Sequence, residues 1–130
     1  MDEKCRCAVH ERMKQLANSI AECMGGRCDF YIEVGYPVLL NDEALTARSR
    51  QAAEEFLGAE NVVDLPIRLT AEDFSYYSQQ MPACFYRLGT GNPAKGITSP
   101  VHTTTFDIDE QALEVGMGLM AWLGLKELDY

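Results

Sequence analysis

The sequence predicts an α/β fold, and three observations predict it. Apolar residues recur every three or four positions in three long stretches, the period of a helix packed on one side. Between those stretches lie short runs rich in β-branched and aromatic residues. Gly or Pro stands at most of the junctions. The resulting order is helix, strand, helix, strand, helix, strand, helix, which is that of layered α/β proteins.

Each element follows from local chemistry. Val9, Met13, Leu16, Ile20 and Met24 mark one face of a helix over residues 3–24, and Gly25-Gly26 stops it. In "RCDFYIEVGYP", Phe30, Ile32 and Val34 alternate with Tyr31 and Glu33, as in a half-buried strand, and Pro37 ends it. A second helix opens within "LLNDEALTARSRQAAEEFLG". Asn41 or Asp42 caps it, Leu45, Ala52, Phe56 and Leu57 form its apolar face, and Gly58 closes it. "NVVDLP" reads as a short strand. "TAEDFSYYSQQMP" reads as a short helix capped by Thr70 with Asp73 three residues on. "ACFYRLG" reads as a buried strand. The last helix runs from about Asp109 to Lys126, with Leu113, Met117, Met120, Ala121 and Leu125 on one side. Gly116 and Gly118 in its interior point to close packing against a neighbour. The first helix has no strand before it to cover, and the composition changes near Tyr36-Pro37.

Composition excludes some functions. The chain has 130 residues, 20 Asp+Glu against 11 Lys+Arg, and a net charge of -9. That balance speaks against a nucleic-acid partner, since phosphate neutralisation needs clustered cations. No apolar run reaches the length of a membrane span. The charged start "MDEKCRCAVHERMKQ" has no secretory core, so the cytoplasm is the expected compartment. Five cysteines, an odd count with no disulfide spacing, agree with reduced thiols.

Few residues are placed for chemistry. Cys5, Cys7, His10, Cys23 and Cys28 suggest zinc, but Cys5 and Cys7 point to different sides of a helix, and only Cys7 and His10 share a face. Thiols on an amphipathic helix explain them as well. Glu72 and Asp73 suit the positive end of a helix, or a substrate contact. "GTGNPAKGITSPV", residues 89–101, is the one long irregular segment, and it lacks the spacing of a phosphate-binding loop. His102 follows it. From the residues alone it is either a loop histidine or a metal ligand whose partners lie elsewhere. Thr103 to Thr105, Asp107 and Asp109 are candidate acceptors for its second ring nitrogen.

"GYPVLLND", "AEDFSYYSQQMPACFYRLG" and "VHTTTFDIDEQAL", in that order, resemble the carboxyl-terminal portion of the zinc-type amidohydrolases. These include hippurate hydrolase, aminoacylase-like enzymes and the hydrolases of indoleacetate–amino-acid conjugates. The resemblance covers essentially the whole chain. It implies the end of a ferredoxin-like lid and dimerisation domain over residues 1–36, and the carboxyl-terminal part of a catalytic α/β domain over 37–130. It makes His102 the last metal ligand, and Glu72, Asp73, Gly89 and Gly91 substrate-binding residues. Val101 and Thr103-Thr104 stand where the family commonly has Leu and Ser-Pro. The complete enzyme would hold two divalent metals, zinc foremost, and cleave the amide of an N-acyl amino acid or small peptide. The other ligands and the catalytic base lie upstream in that family, and no residue here matches them. The expectation is a chain that is inactive alone, needs an amino-terminal catalytic half and pairs as a homodimer. The rival expectation is a non-catalytic α/β binding or assembly module.

Overall fold

The computed structural model describes residues 3–128. Four α-helices form among them: α1 (Glu3–Cys23), α2 (Glu43–Leu57), α3 (Ser75–Ser78) and α4 (Gln111–Leu128). The chain divides into two compact units. One is Met1–Leu40 with Arg68–Met81, and the other is Asn41–Ile67 with Pro82–Tyr130.

In the first unit, α1 ends where Gly25 takes the left-handed conformation, φ 74°. The Glu3 side chain accepts from the Val38 N–H at 2.7 Å and from Arg6 at 2.6 Å, so the start of the helix holds the returning chain. These bonds, Val38 first, keep the Glu3 carboxyl below its ordinary pKa. Tyr36 meets Tyr76 edge-on with ring centroids 5.8 Å apart. No residue of α1 is buried. The apolar face at Val9, Met13, Leu16, Ile20 and Met24 is exposed throughout.

In the second unit, α2 and α4 pack antiparallel. The Asp42 side chain caps α2 by accepting from the Leu45 N–H at 2.8 Å. Gly58, at φ 87°, ends it. Trp122 donates its ring N–H to the Ala52 carbonyl at 3.0 Å and lies 6.3 Å from the Phe56 ring. Arg48 grips Glu127 through two hydrogen bonds, and Lys126 pairs with Glu55 at 2.7 Å. Gly118 permits this approach, and Gly116 permits that of the segment bearing Leu88. A Cβ on Gly118 would lie 2.8 Å from the Phe56 ring, and one on Gly116 would lie 2.7 Å from Leu88.

The expected α/β alternation is corrected in one respect: the described residues are mostly helical, and no strand ladder forms among them. Their only β feature is an isolated antiparallel bridge between Asn92 and Ile97. The three segments read as strands lie outside every α-helix, and among the described residues no two of them join in a ladder. A strand is held by its neighbours, and none of these three pairs with another. The alternation holds for part of the first segment: Phe30 and Ile32 are half-buried while Tyr31 and Glu33 are exposed, but Val34, read as inward-facing, is exposed as well. Two smaller expectations also fail. The helix after Thr70 shrinks to four residues, led by Phe74 with no side-chain cap. On α4, the side bearing Leu113, Met117, Met120, Ala121 and Leu125 is the exposed one. Ala112 and Leu119 are buried on the packed side, where Gly118 admits Phe56 of α2 and Gly116 admits Leu88.

Candidate functional site

Residues 89–110 of the second unit form an ordered loop. Asn92 and Ile97 exchange backbone hydrogen bonds of 2.8 and 3.0 Å, closing a small hairpin. The Asn92 side chain caps the 3-10 turn Pro93–Lys95 by accepting from the Ala94 N–H. Proline opens that turn, where its missing N–H costs nothing, and Gly96 closes it in the left-handed region. The hairpin leaves Gly91 little room, since a Cβ there would lie 3.3 Å from the Ile97 carbonyl oxygen.

Asp109 ties this hairpin to the start of α4. Its backbone N–H donates to the Thr90 carbonyl at 2.8 Å. Its carboxylate accepts from Asn92 at 2.6 Å, from Lys95 at 2.7 Å and from the Gln111 N–H at 3.3 Å. The hydrogen bond from Asn92, then that from Lys95, holds the Asp109 carboxyl below its ordinary pKa against the effect of burial.

The turn that follows carries His102. At φ 64° it is the one described non-glycine residue with a positive φ. The left-handed conformation costs such a residue about 1–2 kcal/mol, a strain that clusters at functional positions. Its neighbours are engaged with the chain. Thr103 donates to the Pro100 carbonyl at 2.8 Å. Ser99 and Thr105 share a hydrogen bond of 2.9 Å. Asp107 accepts from the Ile108 N–H at 2.8 Å. So Thr103, Thr105, Asp107 and Asp109, read from sequence as acceptors for the imidazole, bond elsewhere, and Thr104, read with them, makes no bond to the ring. Among the described residues no group hydrogen-bonds to the His102 ring, and the residue is exposed.

Glu72 and Asp73 lie in the first unit, just before α3. Their carbonyls accept from Ser75 and Tyr76, and the Glu72 carboxylate accepts from the Phe74 N–H at 3.4 Å. Glu72 is half-buried and Asp73 is exposed. Gly89, Gly91 and His102 belong to the second unit, on one continuous loop.

Two features escape a reading of the sequence. One is the Asn92–Lys95–Asp109 tie; its signal is Asn-Pro followed by Gly three residues after the proline, a turn that holds Lys95 near the next helix start. The other is Ser75, fully buried with no hydrogen-bond partner for its hydroxyl among the described residues. Nothing in its sequence context signals that.

For a metal, the donor set present is one imidazole. Among the described residues no three His, Cys, Asp or Glu side chains come together to hold an ion. All five cysteines are free, and Cys7 is exposed on α1. No described helix is long and apolar enough to cross a membrane.

Similarity supplies what geometry leaves open. Thermostable carboxypeptidase 2 of Saccharolobus solfataricus is 31% identical over 127 residues, 97% of this chain and 32% of that protein. Uncharacterized hydrolase SH1513 of Staphylococcus haemolyticus is 36% identical over 109 residues, 81% of this chain and 27% of that protein. IAA-amino acid hydrolase ILR1-like 4 of Arabidopsis thaliana is 31% identical over 93 residues, 72% of this chain and 21% of that protein. The chain thus spans about a third or less of the length of these curated relatives. No solved structure gives a significant match. Residues 5–124 match the family described as peptidase family M20/M25/M40. The strained, open histidine sits on a chain that, by this match, belongs to peptidase family M20/M25/M40.

Proposed function

We propose that this chain is the carboxyl-terminal portion of a metal-dependent amidohydrolase acting on N-acyl amino acids or small peptides. The observation that carries the reading is His102. It is exposed, held in a strained turn, and leaves both ring nitrogens unbonded while its polar neighbours are engaged. A metal-ligand imidazole needs one free ring nitrogen for the ion and an acceptor for its other N–H; His102 offers the first, and in this reading the acceptor comes from the amino-terminal half.

In this reading His102 is one ligand of a divalent-metal centre, with zinc the leading metal and two ions in the complete enzyme. When bound, the metal would supply an activated water and a Lewis acid for the amide carbonyl. The remaining ligands and the base come from an amino-terminal catalytic half. The hairpin at Gly89 and Gly91, pinned by Asp109, offers backbone N–H groups to a substrate carboxylate. Glu72 and Asp73 contribute from the segment before α3. Residues 1–36 serve as the end of a lid and dimerisation domain, and residues 37–130 belong to the catalytic domain. The chain alone does not turn over substrate, and the whole enzyme works in the cytoplasm.

A second reading, an assembly module without catalysis, has one observation in its favour. The apolar face of α1 is uncovered, with Leu16 47% and Ile20 64% exposed. The discriminating experiment joins the chain to an amino-terminal M20 half and assays amide hydrolysis with and without His102→Ala. Turnover that depends on His102 supports the hydrolase. Turnover that survives the substitution sinks the ligand assignment.

A further inference from the structure

The contacts that gather at Asp109 converge on one backbone donor. Asp109 is buried, at 9% exposure. Its backbone N–H holds the Thr90 carbonyl at 2.8 Å, and its carboxylate holds the Asn92 side chain at 2.6 Å. Gly91 stands between those two held residues. No peptide bond among the described residues is cis, so the unit joining Thr90 to Gly91 is planar and trans. In such a unit the carbonyl and the following N–H point in opposite directions. Thr90 turns its carbonyl onto Asp109, so the Gly91 N–H faces away from it. That N–H makes no hydrogen bond among the described residues, and Gly91 is exposed.

The contrast with the next residues is sharp. Each N–H from Asn92 to Ile97 is donated inside the hairpin, and proline has none to donate. The Gly91 N–H is therefore an unused donor on a backbone braced from both sides, with no side chain beside it. Such a donor suits an anion, because hydrogen bonds to a charged acceptor are the strong ones. The cation of the hairpin, Lys95, is already held by Asp109 at 2.7 Å. That pairing leaves recognition to the backbone, and it neutralises a carboxylate that would otherwise repel an incoming one.

We propose that Asp109 is a positioning residue of the hydrolase: by bracing both sides of Gly91, it aims the Gly91 N–H at the carboxylate of an N-acyl amino acid. The proposal rests on the reading of the chain as part of an amidohydrolase. It adds the residue that sets the preference for a substrate with an acidic end.

The test uses the chain joined to an amino-terminal M20 half, with N-acetyl-L-alanine and its carboxamide as paired substrates. The readout is the ratio of their kcat/KM values. Asp109→Ala releases Asn92 and Lys95 and should lower that ratio about tenfold, mainly through the KM of the carboxylate, the effect of weakening one hydrogen bond to a charged group. Asp109→Asn keeps an acceptor for Asn92 and should recover most of the ratio. A merely structural Asp109 would lower both substrates alike and leave the ratio within about twofold, which would overturn the proposal. A wild type with no preference for the carboxylate would overturn it too. Binding is read separately, by NMR of the same protein carrying isotope-labelled glycine. The Gly91 amide resonance should move with N-acetyl-L-alanine and not with the carboxamide, and the response should fade in Asp109→Ala. Turnover with a Gly91 amide indifferent to the carboxylate keeps the hydrolase and sinks the proposal. The shift without turnover would refute the hydrolase and keep the aimed donor.

Discussion

The hairpin at residues 91–97 and the turn at 99–107 are neighbours in one unit, and they treat their polar groups oppositely. In the hairpin the notable side chains bond to one another: Asn92 and Lys95 both donate to Asp109, and Asn92 also caps its own turn. In the turn, Ser99, Thr103, Thr105 and Asp107 are engaged, and the histidine at the centre is not. The hairpin is built to be rigid. The turn uses its hydrogen bonds to fix the backbone around an imidazole left open. Strain at His102 and the lack of local partners among the described residues are what a residue reserved for an external ligand looks like.

The comparison can be broken from below. Both loops hang from the α2–α4 pair, so Trp122→Ala should cost about 3 kcal/mol of stability. It removes the ring contact with Phe56 and the bond to Ala52. Denaturant unfolding checks this, and a loss below about 1 kcal/mol would show that Trp122 does not anchor the unit.

Asp109→Ala should release the hairpin from α4 and lower the melting temperature, with the His102 turn disturbed less. Acid should imitate it. Folding lowers the Asp109 pKa, so the tie contributes fully above the ordinary carboxylate value of about 3.9. The contribution fades as pH falls through the lower folded value. Side-chain resonances of Asn92 and Lys95 followed by NMR between about pH 5 and pH 2 would report it. Release on raising the pH would have the wrong sign.

Thr103→Val removes one local hydrogen bond, that to Pro100, and should cost about 1 kcal/mol. His102→Gly should cost nothing and should add about 0.5–1 kcal/mol of stability. Glycine removes the left-handed strain of about 1–2 kcal/mol, and its extra backbone freedom takes back about half of that. A clear loss of stability in His102→Gly would mean the imidazole has structural partners, and the contrast between the two loops would dissolve.

Much of the fold is legible in the amino-acid sequence, and the reason is locality. Helix ends are set by nearby residues: Asp42 caps α2, Gly25 and Gly58 stop their helices, and the glycines of α4 mark its close approach to Phe56 of α2 and to Leu88. Strand pairing is not legible in the same way, because it depends on neighbours far along the chain, and Phe30 and Ile32 show only the alternation. The capping motif at Thr70 fails for the opposite reason, as a local signal not taken up when Phe74 leads α3. At the site, His102 stands out by exclusion. Its strain and the tie at Asp109 do not, because both depend on how a glycine-rich loop folds back on itself.

The most direct test of the central claim is metal stoichiometry and amide turnover in the chain joined to an amino-terminal M20 half, compared with its His102→Ala variant. If His102 is a ligand, the variant loses metal and loses turnover by more than about 100-fold, beyond the effect of losing a residue that only orients a ligand, with its melting temperature preserved. A variant that keeps full metal content and near-normal turnover would return His102 to an ordinary loop histidine.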